Sequence, residues 1–299
     1  MFMHAVETPG MNISFFSALS MKKIYILLFL VAGITTVFSQ AKGSKGKLFI
    51  IGGGSRSDAM VDRIIKEAGL QQGGYGIILP MSSEDPDSAV YYANQQFIKQ
   101  GIRTVYGIIF RKGETFSAQK LDSVRNAKLI YISGGDQVRF MGVVQGTDIE
   151  KAIHDAYNKG SLIGGTSAGA AVMSKIMITG NELKHPDYAS TFRNIEPFNI
   201  ETKPGLGFID NAIIDQHFVK RSRYNRLISA IIEYPEAKGI GIDEATAILV
   251  SGNTAEVVGD SQVIVFENPK RSKVEKGGKL SAKGIVMNIY LAGETFSLK

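Results

Sequence analysis

Between residues 47 and 164 the chain repeats one unit: a short, wholly apolar run, a glycine or polar turn, then residues with apolar positions at helical spacing. Lys47-Leu-Phe-Ile-Ile51 opens the series and runs into Gly52-Gly53-Gly54-Ser55. Residues 56–69 follow, with Met60, Ile64, Ile65 and Ala68 on one helical face. The same reading predicts strands over 75–79, 104–110, 128–133 and 161–164, with helices over 84–101, 115–126 and 148–158 between them. Apolar runs without alternation are strands covered on both faces, and their interleaving with helices dictates a largely parallel sheet. In such sheets ligands bind beyond the carboxyl ends of the strands. The glycine turns at 52–54, 134–135 and 164–165 all fall there.

The last fifty residues change character. Ala247–Val250, Ala255–Val258, Val263–Phe266 and Ile285–Leu291 are short strands separated by turn residues. They predict an antiparallel extension of the same sheet. The polar stretch 270–283 reads as an exposed loop. The fold class is therefore α/β, a mostly parallel sheet between helices with an antiparallel C-terminal extension. No internal repeat or long linker interrupts residues 40–299, so they read as a single domain.

The amino terminus carries an address. Met21-Lys22-Lys23 precedes about fifteen mostly apolar residues up to Phe38. Two lysines and a short apolar run are the first parts of a secretory signal, too short for a comfortable membrane span of roughly 20 residues. Val37 and Ser39 fit cleavage before Gln40, with cleavage after Gln40 as the neighbouring choice. Residues 1–20 do not resemble the start of a signal, which makes Met21 the expected start. The signal peptide thus occupies 1–39, and the mature chain is periplasmic or extracellular, without a stable membrane span.

Several chemistries are excluded by composition. There are no cysteines, so thiol nucleophiles, disulfides and zinc–thiolate sites are ruled out. The histidines are four, at 4, 154, 185 and 217, and none stands at a metal-binding spacing. Neither a metal nor a cofactor is expected. A net charge of +6 is spread among acidic residues without a basic block interleaved with aromatics, which argues against a nucleic-acid partner.

Gly165-Thr166-Ser167-Ala168-Gly169 matches GxSxG in the context that motif requires, after an apolar strand and before small residues able to start a helix. A sharp turn there lifts the serine oxygen from the backbone, and the Ala168 amide points to where charge develops on the substrate oxygen. Ser167 is the candidate nucleophile. Its base is a histidine. His154 lies in a helix at the wrong end of the sheet and His185 in a polar loop. His217 follows the apolar run 212–216 and emerges at a strand end. The acid that orients it is Asp243 or Glu244, at the end of Gly239–Ile242. The order Ser, His, acid differs from that of α/β-hydrolases, where the acid precedes the histidine.

Together these residues resemble the cyanophycinase-like serine peptidases, a family that also includes aspartyl dipeptidases. The matching segments are Gly134-Gly135-Asp136-Gln137, Gly165 to Ala170, Asp215-Gln216-His217-Phe218 with Arg221, Arg223 and Arg226, and Gly241-Ile-Asp-Glu244. The likeness runs from about residue 47 to a closing strand at 291–298. The resemblance implies a three-layer sandwich, usually dimeric, and a Ser167–His217–Glu244 triad. It implies that Gly135, or its neighbour Asp136, supplies the second oxyanion amide beside that of Ala168. It implies that Gln137, Thr166, Asp215, Arg221, Arg223 and Arg226 shape the substrate pocket. The implied substrate is cyanophycin, a poly-aspartate backbone carrying arginine on each side-chain carboxylate, cut between aspartates to release β-aspartyl-arginine. An aspartyl dipeptidase acting on short peptides and a binding homologue without activity are the alternatives. The export signal departs from the family, since cyanophycin is stored inside cells.

Overall fold

The first buried strand, β1 (Lys47–Ile51), sends Leu48 and Ile50 into one hydrophobic cluster and Phe49 and Ile51 into another. Beyond Lys47 the strand has no polar side chain on either face, so it has to be covered twice, and the rest of the fold supplies the covers. The computed structural model describes residues 1–2, 46–187, 189 and 191–299. The expected signal at 21–39 and His4 lie outside the described residues.

In chain order β1 is followed by α1 (Asp58–Ala68), β2 (Gly76–Leu79), α2 (Pro86–Lys99), β3 (Val105–Gly107), α3 (Ala118–Arg125) and β4 (Leu129–Ile132). Then come α4 (Gln137–Val144), α5 (Asp148–Asn158), β5 (Leu162–Thr166) and the short α6 (Ala168–Ala171). A hairpin of β6 (Ile176–Glu182) and β7 (Ile200–Pro204) precedes β8 (Ala212–Gln216), α7 (Tyr224–Glu233) and β9 (Lys238–Ile242). The chain closes with β10 (Thr246–Ser251), β11 (Thr254–Gly259), β12 (Val263–Glu267), β13 (Val274–Lys276), β14 (Lys279–Ser281), β15 (Val286–Tyr290) and β16 (Thr295–Ser297). Ser44–Lys299 is one compact unit.

Local chemistry explains the helix ends. The Ser57 side chain accepts from the Met60 amide at the start of α1, and Gly69 closes that helix in the left-handed conformation, φ 67°. Asp85 caps α2 ahead of Pro86, whose missing N–H costs nothing in the first turn. Asp136 caps α4 through the amides of Val138 and Arg139.

Eight of the described strands form one sheet in the order β16-β11-β10-β1-β5-β4-β2-β3. β1, β5, β4, β2 and β3 run parallel, and β10, β11 and β16 extend the sheet antiparallel. Helices α1 and α2 cover one face, through Met60, Ile64, Ile65 and Phe97. The other face carries α3 to α6 and a second sheet, β15-β12-β9-β8, whose Ile214, Ile240 and Val265 join the same cluster. The outer face of that second sheet is covered by α7, through Leu227, Ala230 and Ile231.

The α/β architecture with its antiparallel extension stands as expected, with four corrections in detail. The C-terminal strands do not all extend one sheet: β10, β11 and β16 do, while β12 and β15 build the second. The edge strand β3 stops at Gly107, because its only partner, β2, runs into Pro80, which has no amide to extend the ladder. Residues 270–283 are not a bare loop. They contain the β13–β14 hairpin, turned by Gly277 and Gly278 at φ 59° and 73°, a two-residue glycine turn of the kind that matches strand twist. Finally, a helix absent from the sequence reading, α7, begins at Tyr224, three residues after Arg221.

Candidate active site

The carboxyl ends of β1, β5, β8 and β9 meet at one point. There, three consecutive carbonyls of the first glycine turn each receive one amide. Ile51 O accepts from Ser167 N at 3.0 Å, Gly52 O from His217 N at 2.7 Å, and Gly53 O from Ala245 N at 2.9 Å. The first strand thus fixes the backbone beside all three side chains of the candidate triad, although they are spread over 167–244.

The turn at Ser167 is as sharp as GxSxG demands. Ser167 holds φ 53° and ψ −109°, a strained conformation for a residue with a side chain. The flanking glycines are required by close approach. A Cβ on Gly165 would lie 2.2 Å from the Gly169 carbonyl oxygen, and one on Gly169 would lie 2.3 Å from that of Ile132.

Ser167 Oγ lies 2.9 Å from His217 Nε2, and His217 Nδ1 lies 2.7 Å from Glu244 Oε1. A carboxylate can only accept. The Glu244 contact therefore puts the ring proton on Nδ1 and leaves Nε2 to accept from the serine hydroxyl. Asp243 points elsewhere: its Oδ1 accepts from the Lys220 amide at 2.9 Å and its Oδ2 from the Ser261 hydroxyl at 2.8 Å. Consecutive residues project to opposite sides of a strand end, so only one of the two reaches the ring. Burial holds the His217 imidazole below its ordinary pKa. The Glu244 contact opposes the shift, and the Arg221 and Arg223 charges add to it. The ring is therefore neutral near pH 7, the state a proton acceptor needs.

The Gly134-Gly135 turn after β4 faces the serine, with a Cβ on Gly134 reaching 3.5 Å from that of Ser167. The Asp136 amide is already bound to the Ser82 carbonyl at 2.8 Å. Of the two amides expected to compete for an oxyanion, only that of Gly135 is unengaged.

A cavity of about 370 Å³ opens on this side of Ser167, lined by Gly135, Gln137, Thr179, Asn181 and Lys203 with Arg221, Arg223 and Arg226. The three arginines differ in their attachments. Arg226, 4% exposed, pairs with both oxygens of Asp215, itself 1% exposed. Arg223 donates to the Gln216 carbonyl at 2.8 Å and to its side-chain oxygen at 2.6 Å. Arg221 is half-buried, and among the described residues no carboxylate pairs with it. Gln137 donates to the Ile178 and Thr179 carbonyls at 2.9 and 2.8 Å, clamping the β6–β7 hairpin over the cavity.

Two of the expected pocket residues stand apart. Thr166 faces a second cavity on the other side of Ser167. Asp215 supports an arginine from behind. The cavity wall also includes Thr179, Asn181, Lys203 and Gln216, which sequence reasoning missed. The Asp-Gln-His run contained Gln216, while the hairpin residues carry no local signal. His154 stacks on Phe208 with centroids 4.5 Å apart, and His185 pairs with Glu196 at 3.0 Å on the surface, both away from the serine. Among the described residues no cluster of His, Asp and Glu could hold a metal ion, and no helix is long and apolar enough to cross a membrane.

Comparison with known proteins points the same way. Residues 48–258 match the family model of peptidase family S51. The chain is 29% identical over 278 residues to a cyanophycinase of Synechococcus elongatus, covering 89% of this chain and 83% of that protein. It is 28% identical over 148 residues to a peptidase E of Actinobacillus pleuropneumoniae, covering 50% of this chain and 61% of that one. Among solved structures, a peptidase from an acI-B1 actinobacterium shares the fold at a TM-score of 0.65 and 23% identity, over 86% of this chain and 98% of that one.

Proposed function

The chain belongs to peptidase family S51 and is a serine-type peptidase, and from that premise we propose that it is an exported cyanophycinase with Ser167, His217 and Glu244 as its triad. The observation that carries the reading is the linear chain from Ser167 Oγ through the His217 ring to Glu244, with an arginine-lined cavity opening beside it.

In this mechanism Ser167 Oγ attacks the carbonyl of an aspartyl residue while His217 Nε2 takes its proton. Glu244 holds the Nδ1–H and stabilises the imidazolium that forms. The amides of Ala168 and Gly135 receive the oxyanion. His217 then gives its proton to the leaving nitrogen. Water, activated by the same ring, releases the acyl group. Arg221, which has no carboxylate partner among the described residues and lines the same cavity as Arg223, supplies positive charge suited to a carboxylate on the acyl side, since guanidinium forks match that group.

The substrate reading favours the polymer over short peptides because the likeness to a cyanophycinase spans most of both chains, whereas the likeness to a peptidase E spans half of this one. Export is proposed from Lys22-Lys23 and the apolar run to Phe38, with a mature chain from about residue 40 folded as a single domain and paired as a homodimer. The test is incubation of that mature chain with purified cyanophycin and identification of the products by mass. Release of β-aspartyl-arginine is expected. Intact polymer alongside cleavage of short aspartyl peptides would favour the dipeptidase. A Ser167 that takes no fluorophosphonate label, with no turnover of either, would leave a binding homologue.

A further inference from the structure

Ser167 stands in the wall of two cavities, and the second is not used by the reading above. It has a volume of about 320 Å³ and is lined by Gly53, Arg56, Tyr92, Tyr131, Thr166 and His217 among others. The two cavities divide the catalytic groups between them. The Gly135 side contains the unengaged amide and not the imidazole, and the Tyr131 side contains the imidazole. In acyl transfer the histidine must protonate the leaving nitrogen, so the departing fragment lies on the imidazole's side of the serine. The arginine-lined cavity is then the acyl side and the Tyr131 cavity the leaving side.

The leaving side has its own recognition chemistry. Arg56 follows the first glycine turn and is half-buried there. Its Nε donates to Gln96 Oε1 at 2.6 Å, and its Nη1 stands 3.4 Å from Thr166 Oγ1. The guanidinium carbon sits 5.9 Å from the centre of the Tyr131 ring. Gln96 and Thr166 are neutral, and among the described residues no carboxylate pairs with Arg56. A guanidinium has five N–H donors, and these two contacts leave the others for something else. Tyr131 adds an independent sign. It is 2% exposed and lines the cavity, and its buried hydroxyl has no partner in hydrogen-bond geometry among the described residues, the Thr166 side chain interacting with it without meeting that geometry. A buried hydroxyl without a partner is uncommon and costs stability unless a ligand completes it. A cation with no counter-ion among the described residues calls for negative charge, and an unsatisfied hydroxyl donor beside it calls for an acceptor; a carboxylate answers both.

We propose that Arg56 and Tyr131 form the leaving-group subsite and bind a carboxylate of the departing residue. The assignment rests on Ser167 and His217 acting as nucleophile and base. It makes substrates whose departing residue bears a free carboxylate the preferred ones, and it gives the enzyme a charged clamp on each side of the cleaved bond.

The test compares wild type, Arg56→Gln and Tyr131→Phe on three aspartyl-aspartate substrates with a blocked amino end. In one the departing aspartate is free, in one it is amidated at its terminus, and in one it is amidated in its side chain. A hydrogen-bonded charge pair lost on binding corresponds to about ten- to a hundred-fold in kcat/KM. Arg56→Gln should lose that much on the free substrate and under about threefold on one of the amides, which identifies the carboxylate that is held. Tyr131→Phe should lose severalfold on the same substrate with its Tm unchanged or raised, because a hydroxyl without a well-formed hydrogen bond in the free protein is removed. Equal losses on all three substrates, or none on any, would overturn the proposal. So would a clear fall in Tm for Tyr131→Phe. Binding of the departing aspartate and its amides to Ser167→Ala protein, by calorimetry, needs no turnover. There the preference for the free acid should vanish with Arg56→Gln, and equal binding of acid and amides by the parent would overturn the subsite. A wild type that cleaves no aspartyl peptide would sink the peptidase mechanism while this binding measurement still decides on Arg56.

Discussion

Gly53 tests the site most sharply, because the three atoms nearest to an added methyl group there all belong to the His217 ring. A Cβ at position 53 would lie 2.3 Å from His217 Cε1 and 2.6 Å from Nε2. Ordinary contact begins near 3.5 Å, so the ring would have to retreat by roughly 1 Å. Ser167 Oγ is 2.9 Å from Nε2, and a retreat of that size takes the pair out of hydrogen-bond range. Gly53 also holds φ 119°, which adds a backbone cost of about 1–3 kcal/mol for any residue with a side chain. Gly53→Ala should therefore fold with a Tm lower by several degrees and lose at least about a hundredfold in kcat, as misplacement of reacting groups by 1 Å implies. The assay is kcat on an aspartyl substrate together with the rate of fluorophosphonate labelling at Ser167, beside a thermal melt. A stable Gly53→Ala enzyme with labelling and turnover within twofold of wild type would refute the geometry from which the prediction is drawn.

Ser167→Ala should abolish hydrolysis while leaving the melt unchanged, on the scale of about 10⁶ seen for loss of a nucleophile; near-normal turnover would end the mechanism. Glu244→Gln should cost roughly 10²–10⁴ in kcat with little change in stability, whereas Asp243→Asn, which loosens the Lys220 and Ser261 contacts, should lower Tm more than kcat; the reverse ranking would reassign the acid. Arg226→Ala strands the buried Asp215 carboxylate and should cost about 3–5 kcal/mol in a denaturant titration, while Arg221→Ala should leave the melt unchanged and raise KM for the aspartyl substrate. The acid limb of kcat/KM should fall below the ordinary histidine value of about 6.5, since protonation of a depressed His217 removes the base. Arg221→Gln should move that limb upward by removing a cation that opposes protonation, and a downward shift would contradict the sign.

The parallel half of the fold was legible because its signal is local. Strands covered on both faces have to be largely apolar, and residues 48–51, 129–132 and 162–165 are. What the sequence did not show is which sheet a strand joins. Val263–Glu267 and Thr246–Ser251 look alike as strings, yet one pairs with β9 in the second sheet and the other with β1 in the first. That choice depends on α7 covering the outer face of the second sheet, a contact between residues far apart in the chain. The β6–β7 hairpin stayed hidden for a related reason. Its strands are only partly buried, so they lack the apolar runs that betrayed the others.

The candidate triad was legible only in part: Ser167 and His217 stood out by position, and the acid only as Asp243 or Glu244. Ser167, His217 and Glu244 each sit at the end of an apolar strand, where backbone constraints leave a mark in glycines and small residues. Pocket residues leave none. Arg226 and Arg221 are the same residue type five positions apart, yet one is a buried partner of Asp215 and the other faces the cavity. The difference follows from where α7 begins. Starting at Tyr224, it puts Arg226 in its first turn against β8, while Arg221 stays in the turn before the helix. A helix starting at Arg221 would have put all three arginines on its surface, at spacings that suit a solvated face. Asp215 then has a clear physical role. It neutralises the buried Arg226, while Arg221 keeps its charge towards the cavity without a carboxylate partner among the described residues. Burial chiefly lowers the His217 pKa, and the Arg221 and Arg223 charges add to that shift. If Arg221 holds a substrate carboxylate as proposed, the same cation sets both recognition and the protonation of the ring, and a change at Arg221 should move both together.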